Sequence, residues 1–203
     1  MKKKDYLKEY HQKRNFDLSS EPFGEEKGLG KKDVQIFVIQ KHDASQVHYD
    51  FRLSVNGVLK SWVIPKGPST DPKVSRLAIP TEDHPLEYAD FEGVIPEEEY
   101  GGGTVMVWDA GAYEPKHDED NGKEIPIEEQ IQNGHVVVHL KGKKIQGNYA
   151  LIQTELNEEE KWLLKKMEDD YADARRNPTN TENKSVLTGR TMNQIRKAAQ
   201  PSE

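Results

Sequence analysis

The chain has 203 residues, no cysteine, 33% hydrophobic and 32% charged residues, and a formal net charge of −7. These values exclude disulfides and thiolate metal sites, leave room for one modest core, and argue against a protein that simply coats nucleic acid. No apolar run is long enough to span a membrane, and no apolar stretch follows the basic first residues, so neither a membrane span nor a signal peptide is expected.

Charge is unevenly spread. Residues 1–78 carry 15 Lys and Arg against 10 Asp and Glu; residues 79–135 carry 2 against 16; residues 136–203 carry 12 against 10. An anionic substrate would be steered to the first segment while the acidic middle faces elsewhere.

In chain order, residues 1–32 are polar and read as an extended N-terminal arm packing on the β-rich core. Tyr6, Leu7 and Tyr10 suit one amphipathic helical turn, and Gly28, Leu29 and Gly30 a loop. Strands are predicted over 35–42, 47–55 and 58–65, with Asn56-Gly57 as a tight hairpin turn. Further strands fall at 74–80 and 103–109, with a short extension at 112–114. Tyr100-Gly101-Gly102-Gly103-Thr104 lacks the Lys-Ser/Thr pair of a P-loop and reads as a flexible lead into a strand. A short helix fits 127–132, followed by strands at 135–140, 144–154 and 161–166, with turns at Gly142, Gly147 and 157–160. The fold class is mainly β: a sandwich, or a small closed or partly open β-barrel, over residues 33–168, with short helices and extended arms. Residues 169–203 read as a charged C-terminal tail, solvated by default, with a helical turn or disorder over 191–199. Its Arg190, Arg196 and Lys197 are available to nucleic acid.

The chemistry starts at 47–55. Val47, Tyr49, Phe51, Leu53 and Val55 point one way, toward a core; His48, Asp50, Arg52 and Ser54 point the other. Residues i and i+2 on a strand lie roughly 7 Å apart, so His48 and Asp50 can converge on one ion, with His42 as a third ligand across a short connection. Arg52, next in the row, suits a bidentate grip on phosphate or carboxylate. A metal beside a fixed guanidinium is what phosphoryl chemistry needs. An ordinary solvated strand face fits the same pattern. Lys66 and Arg76 each offer positive charge to an anion site, though either alone is an ordinary surface residue. Glu82-Asp83-His84-Pro85 places an imidazole in a Pro-bearing loop, where His84 can act as ligand, acid or donor, and Tyr88 can donate a hydrogen bond. His135 and His139 lie roughly 13 Å apart along a strand and do not chelate one metal. His11 and His117 read as surface residues, and Trp62, Trp108 and Trp162 as packing residues.

Taken together, the runs 37–52, 59–68, 82–96 and 100–105 closely resemble the 3′-phosphoesterase domain of DNA ligase D, here as a stand-alone member without ligase or polymerase modules. The resemblance implies a β-barrel hydrolase that heals 3′ ends in end joining and repair. A phosphodiesterase step removes a terminal ribonucleoside, and a phosphomonoesterase step then removes the 3′-phosphate. It implies a divalent metal, with Mn²⁺ first and Co²⁺ or Zn²⁺ as alternatives, held by His42, His48 and Asp50. Arg52 and His84 would hold the scissile phosphate, Tyr88 would support that site, Lys66 and Arg76 would serve the terminal phosphomonoester, and Glu82 would be an auxiliary acid. Arg14 and Glu21 match the family pattern; Asn15 departs from the family Asp, with a weakened monoesterase step as the expected consequence. The implied partners are DNA or DNA–RNA primer–template 3′ ends, and a separate ligase with end-joining factors. A cytoplasmic, nucleoid-associated monomer without membrane contact is expected. On the residues alone, His84 protonating the leaving oxygen is one expectation. Two other classes also stand: a non-haem iron oxygenase using His48, Asp50 and His84, and a non-catalytic module that binds DNA ends for a ligase.

Overall fold

A strand whose residues alternate between apolar and polar has one face to bury and one to spare, and nine such strands set this architecture. In a computed structural model, residues 5–24, 35–116, 125–154 and 160–200 are described. The Gly28–Gly30 loop, His117 and positions 157–159 of the last expected turn lie outside them.

After a short helix α1 (Lys8–Gln12), the chain runs through β1 (Ile36–Asp43), β2 (Val47–Val55), β3 (Val58–Ile64) and β4 (Ser75–Pro85). A 3₁₀ turn (Leu86–Asp90) and β5 (Gly93–Ile95) precede the long β6 (Gly103–Pro115). Then come α2 (Ile127–Gln132), β7 (His135–Gly142), β8 (Gln146–Thr154), β9 (Lys161–Lys166), α3 (Pro178–Thr181) and α4 (Met192–Ala198). The strands pair antiparallel in the order β1, β2, β3, β4, β9, β8, β7, β6, and β6 returns to β1. This closes an eight-stranded barrel, and β5 pairs with β6 outside the ring. Closure, rather than a sandwich, leaves those eight strands without an open edge.

The apolar faces fill the barrel. Phe37, Ile39, Phe51, Leu53, Trp62, Trp108 and Trp162 belong to one buried cluster. A barrel of eight strands is narrow enough for its own side chains to fill, and these apolar residues occupy its interior. A second cluster covers part of the outer surface: Leu7 and Tyr10 of the arm pack with Val38, Leu59, Tyr88, Phe91 and Val105. Val38 and Leu59 thus point out of the barrel, on the side opposite to Phe37 and Ile39.

Two local devices shape that outer face. Asn56 (φ 52°) and Gly57 (φ 85°) adopt the left-handed turn that suits a two-residue hairpin, which sets the register of β2 on β3. On β4, Thr81 faces Ser61 while His84 faces Leu59, so three steps on one strand oppose two on its neighbour. This β-bulge re-aims the strand and brings Glu82 and His84 to the outer face.

The glycine run before β6 is crowded rather than flexible. A Cβ on Gly103 (φ 143°) would stand 2.3 Å from the Asp43 carbonyl oxygen, and one on Gly102 would stand 2.6 Å from that of Pro96. Nor is the C-terminal segment a solvated tail. Tyr49 Oη donates to the Thr179 carbonyl, Trp108 Nε1 to that of Glu182, and Ile195 is buried in the barrel cluster. Thr191 and Gln194 form a reciprocal capping box that starts α4. Arg196 pairs with Asp43. Among the described residues no helix is long and apolar enough to cross a membrane.

Gly103→Ala should lower stability by roughly 1–3 kcal/mol from backbone strain, with overlap on Asp43 adding to it. Gly189→Ala, also at positive φ but with nothing within 4 Å of the new Cβ, is the control. Equal shifts in the urea midpoint of the two variants would remove the crowding argument.

Candidate active site

His42 and His48 face each other directly across the β1–β2 ladder, and Asp50 lies two residues along β2 from His48. Opposed residues and their i+2 neighbours share a face, so the ladder brings all three side chains to one spot on the outside of the barrel. One ligand atom from each lies within 4.8 Å of the others. His42 Nδ1 is 3.7 Å and His48 Nε2 4.0 Å from the Asp50 carboxylate. Metal–ligand bonds of about 2.1 Å hold donors about 3–4 Å apart, so a cation would draw this set in by roughly 1 Å.

Two further observations fit a cation. His48 Nδ1 lies 2.9 Å from the Gln46 carbonyl, which fixes the proton there and leaves Nε2 as a free lone pair. His42 Nε2 is buried without a hydrogen-bond partner among the described residues, so a cation would relieve that cost only if the ring ligates through Nε2 rather than through the Nδ1 that lies nearer Asp50. Asp50 is buried, which raises its pKa, but Arg52 and the two imidazoles outweigh that and hold it below the ordinary value.

Arg52 is the next outward residue on β2 and is 3% exposed. Nε donates to Gln40 Oε1 (2.8 Å), Nη1 to Ser61 Oγ (2.8 Å), and Nη2 stands 3.4 Å from Asp50. Gln40 in turn donates to the carbonyls of Tyr88 and Phe91, which ties the 3₁₀ turn to the strand. Arg52 is therefore locked in place beside the metal-capable group.

The arm supplies the other wall. Arg14 donates through Nε to Glu21 (2.8 Å) and through Nη1 to Glu82 (2.9 Å), and its guanidinium lies over the Tyr10 ring at 3.9 Å. Lys13 adds a 3.1 Å contact to Glu82. Glu21 also accepts from Tyr88 Oη (2.9 Å) and Ser19 Oγ (2.8 Å). Burial raises the Glu82 pKa, but Arg14 and Lys13 outweigh it, so the group stays ionised. Burial pushes the Tyr88 phenol up, and nearby Glu21 adds to that, so it remains a donor.

His84 sits between the two guanidiniums. Nδ1 lies 2.9 Å from the Glu82 carbonyl and 3.0 Å from Arg52 Nη1; Nε2 lies 3.1 Å from Arg14 Nη2. A neutral ring that donates from Nδ1 to the carbonyl and accepts at Nε2 from Arg14 satisfies both sides. Burial and then the two arginines push its pKa well below 6.5. The ring is thus held neutral.

These groups enclose a cleft of about 270 Å³, with Thr81, Tyr100 and Gly101 at its margins. Its formal charges cancel: Lys13, Arg14 and Arg52 face Glu21, Asp50 and Glu82. Nine of the sequence-predicted site residues converge here: Arg14, Glu21, His42, His48, Asp50, Arg52, Glu82, His84 and Tyr88. Two do not. Lys66 lies exposed beyond the end of β3. Arg76 faces Leu164 two residues from Ala78, on the barrel's inner side, with a buried Nε lacking a partner among the described residues. Asn15 is exposed and accepts the Asp17 amide, so it stands outside the cleft. His84, engaged at both nitrogens, does not join His48 and Asp50 in an oxygenase-type set. Sequence reasoning missed Gln40, Ser61, Lys13 and Tyr10. Gln40, polar within the apolar run 37–39, carried a readable signal; the others depend on tertiary contact.

A sequence model described as the DNA ligase D 3′-phosphoesterase domain matches residues 40–153. The multifunctional non-homologous end joining protein LigD of Pseudomonas aeruginosa is 46% identical over 167 residues, covering 82% of this chain and 19% of that protein. The LigD proteins of Mycobacterium tuberculosis and Mycolicibacterium smegmatis are 42% and 39% identical, over 80% and 81% of this chain and 20% and 21% of theirs. The chain thus spans about a fifth of the length of these relatives.

A His with a depressed native pKa favours the fold above its unfolded value and weakens it below. His84 should therefore cost stability as pH falls through 6.5 toward 5, before Asp50 and Glu82 begin to protonate. Urea midpoints across that window should slope downward, and His84→Gln should flatten the slope. An unchanged slope would place the titrating group elsewhere.

Proposed function

Because the chain belongs to the DNA ligase D 3′-phosphoesterase domain family, we propose that it is a divalent-cation-dependent hydrolase that heals blocked 3′ ends of DNA or DNA–RNA primer strands. It would act for a ligase in end joining. The observation that carries this reading is the ladder-assembled set of His42, His48 and Asp50 beside a locked Arg52. These three residues would hold the cation, Mn²⁺ by preference, which supplies Lewis acidity beside the phosphate.

The charge balance supports the same reading. A cleft whose formal charges cancel has little pull on a phosphate. Two added positive charges give it one matched to a phosphate dianion. Arg52 and Arg14 would then seat the phosphoryl oxygens, and Tyr88 and Glu21 would fix Arg14's approach. Two hydrolytic steps result from this chemistry. Water adds to phosphorus and the bond to the 5′ oxygen of a terminal ribonucleoside breaks, leaving a 3′-phosphate. Water then adds again, the bond to the 3′ oxygen breaks, and inorganic phosphate leaves a 3′-hydroxyl. In each step the leaving oxygen takes its proton from the solvent water consumed.

His84 enters as a positioning residue rather than an acid. Its neutral ring spaces the two guanidiniums and has no extra proton to give. His84→Ala should therefore slow good and poor leaving groups by similar factors. A far larger loss on the poor one would restore the acid role.

The direct test uses a primer–template ending in one ribonucleotide, with and without Mn²⁺, with products resolved by length and end group. Cation-dependent shortening followed by phosphate release is expected. Asp50→Asn and Arg52→Lys should each lose on the order of 100-fold, since an ammonium cannot replace the planar fork. End binding without processing at saturating Mn²⁺ would instead support a non-catalytic module.

A further inference from the structure

Tyr100 stands at the rim of the cleft with its ring 49% exposed. It belongs to neither buried cluster, so packing does not account for it. Its neighbours on the arm are cations: Lys13 Nζ lies 4.8 Å from the ring centroid and the Arg14 guanidinium 5.7 Å away. Lys13 Nζ also reaches the phenol oxygen at 3.4 Å.

The loop that carries Tyr100 is fixed from both sides. Glu99 N donates to the Pro96 carbonyl, and Gly102 N to that of Glu99. Gly101 has a positive φ, and a Cβ there would stand 3.9 Å from His42 Cε1. The loop therefore lies directly on the metal-capable group, and the close approach of Gly102 and Gly103 leaves it little freedom. The result is an aromatic face with a half-open side, rigidly held beside the place where a phosphate would sit.

Resting on the phosphoesterase reading, we propose that Tyr100 is the stacking platform for the base of the 3′-terminal nucleoside attached to the seated phosphate. Base–aromatic stacking tolerates any base, because every base has a π-face. That suits an enzyme that must clear an end whatever nucleoside occupies it. The side of the cleft also matters. Tyr100 stands against Lys13 and Arg14 of the arm, and stacking on one exposed ring calls for a single nucleoside rather than a continuing duplex. Lys13, with Nζ 4.8 Å from the ring centroid, would strengthen the platform through its charge. Tyr100 is thus a specificity-determining residue for the diester step: the monoester substrate has no terminal nucleoside to stack.

The test compares two Mn²⁺-loaded reactions for wild type, Tyr100→Ala and Tyr100→Phe. One primer ends in a ribonucleotide; the other ends in a ribose lacking its base. On the first, Tyr100→Ala should lose roughly 10-fold in kcat/KM, mostly through KM, and Tyr100→Phe should match wild type. On the second, all three should agree. Ratios between substrates within one variant are insensitive to the fraction folded. Equal losses on both substrates would overturn the stacking role, as would a Tyr100→Phe variant as poor as Tyr100→Ala. So would convergence produced by removing the penultimate base instead. A wild-type protein that processes neither primer would take down the phosphoesterase reading and this one with it. Normal processing with flat ratios takes down the platform alone.

Discussion

A carboxylate cannot be buried without a partner, and the pairing of Arg14 with Glu82 and Glu21 is the constraint on which the candidate site rests. Glu82 is carried to the outer face by the bulge in β4 and Glu21 by the arm, and both are almost fully buried. Removing one partner of such a pair leaves an uncompensated charge, a loss of about 3–5 kcal/mol. Arg14, with 5% of its side chain exposed, satisfies both carboxylates with separate nitrogens and spends a third on His84. The arm therefore docks where it does because its guanidinium is needed there, and its aromatics Tyr10 and Phe16 add apolar contact around that point.

The position of the site on the outer wall follows from the size of the barrel. Eight strands close around a cluster that includes Trp62, Trp108 and Trp162. A strand that sends one face inward must send the other outward, so the polar row of β2 had to find its cover outside. The 3₁₀ turn, β5 and the arm provide it. This is also why the metal-capable residues are neighbours in sequence while their surroundings are not. His42, His48 and Asp50 come from one hairpin; Arg14 arrives from the arm, and Glu82 and Tyr88 from the end of β4 and the turn that follows it.

That division explains what the sequence disclosed. The alternation in Val47–Val55 was enough to separate core from chemistry, and the span of that strand matches the structure. The hairpin turn at Asn56-Gly57, α2 and β9 were legible for the same reason: their signals are local. The bulge in β4 was not, because an extra residue has no composition of its own; the strand runs to Pro85, well past the predicted end at 80. β5, three residues long, exists only as a pairing with β6. The glycines before β6 looked like freedom and proved to be crowding, since a neighbouring backbone is invisible along the chain. The C-terminal segment looked like a tail because it is charged, yet Tyr49 and Trp108 hold it by its carbonyl oxygens, which every residue carries, and its charges pair with Glu92 and Asp43 from distant parts of the chain. Lys66 and Arg76 were expected at the phosphomonoester by charge and by resemblance, and neither is among the residues lining the cleft.

The charge balance of the cleft gives the arm a second consequence. With Arg14 and Lys13 in place, three cations meet three carboxylates, so a divalent ion on the ladder residues would leave a surplus of two positive charges for a phosphate. Withdraw the arm, and Glu82 faces the cleft together with Asp50. The arm takes Lys13, Arg14 and Glu21 with it, so the balance falls from zero to one negative charge, while His42, His48 and Asp50 do not depend on the arm for their placement. The two halves of the candidate site therefore rest on different parts of the chain: the metal-capable group and Arg52 on a ladder register set by a two-residue turn, and Arg14 on contacts spanning some seventy positions of sequence. Local pairing is the sturdier of the two, and the arm is the part of the candidate site whose placement depends wholly on tertiary contact.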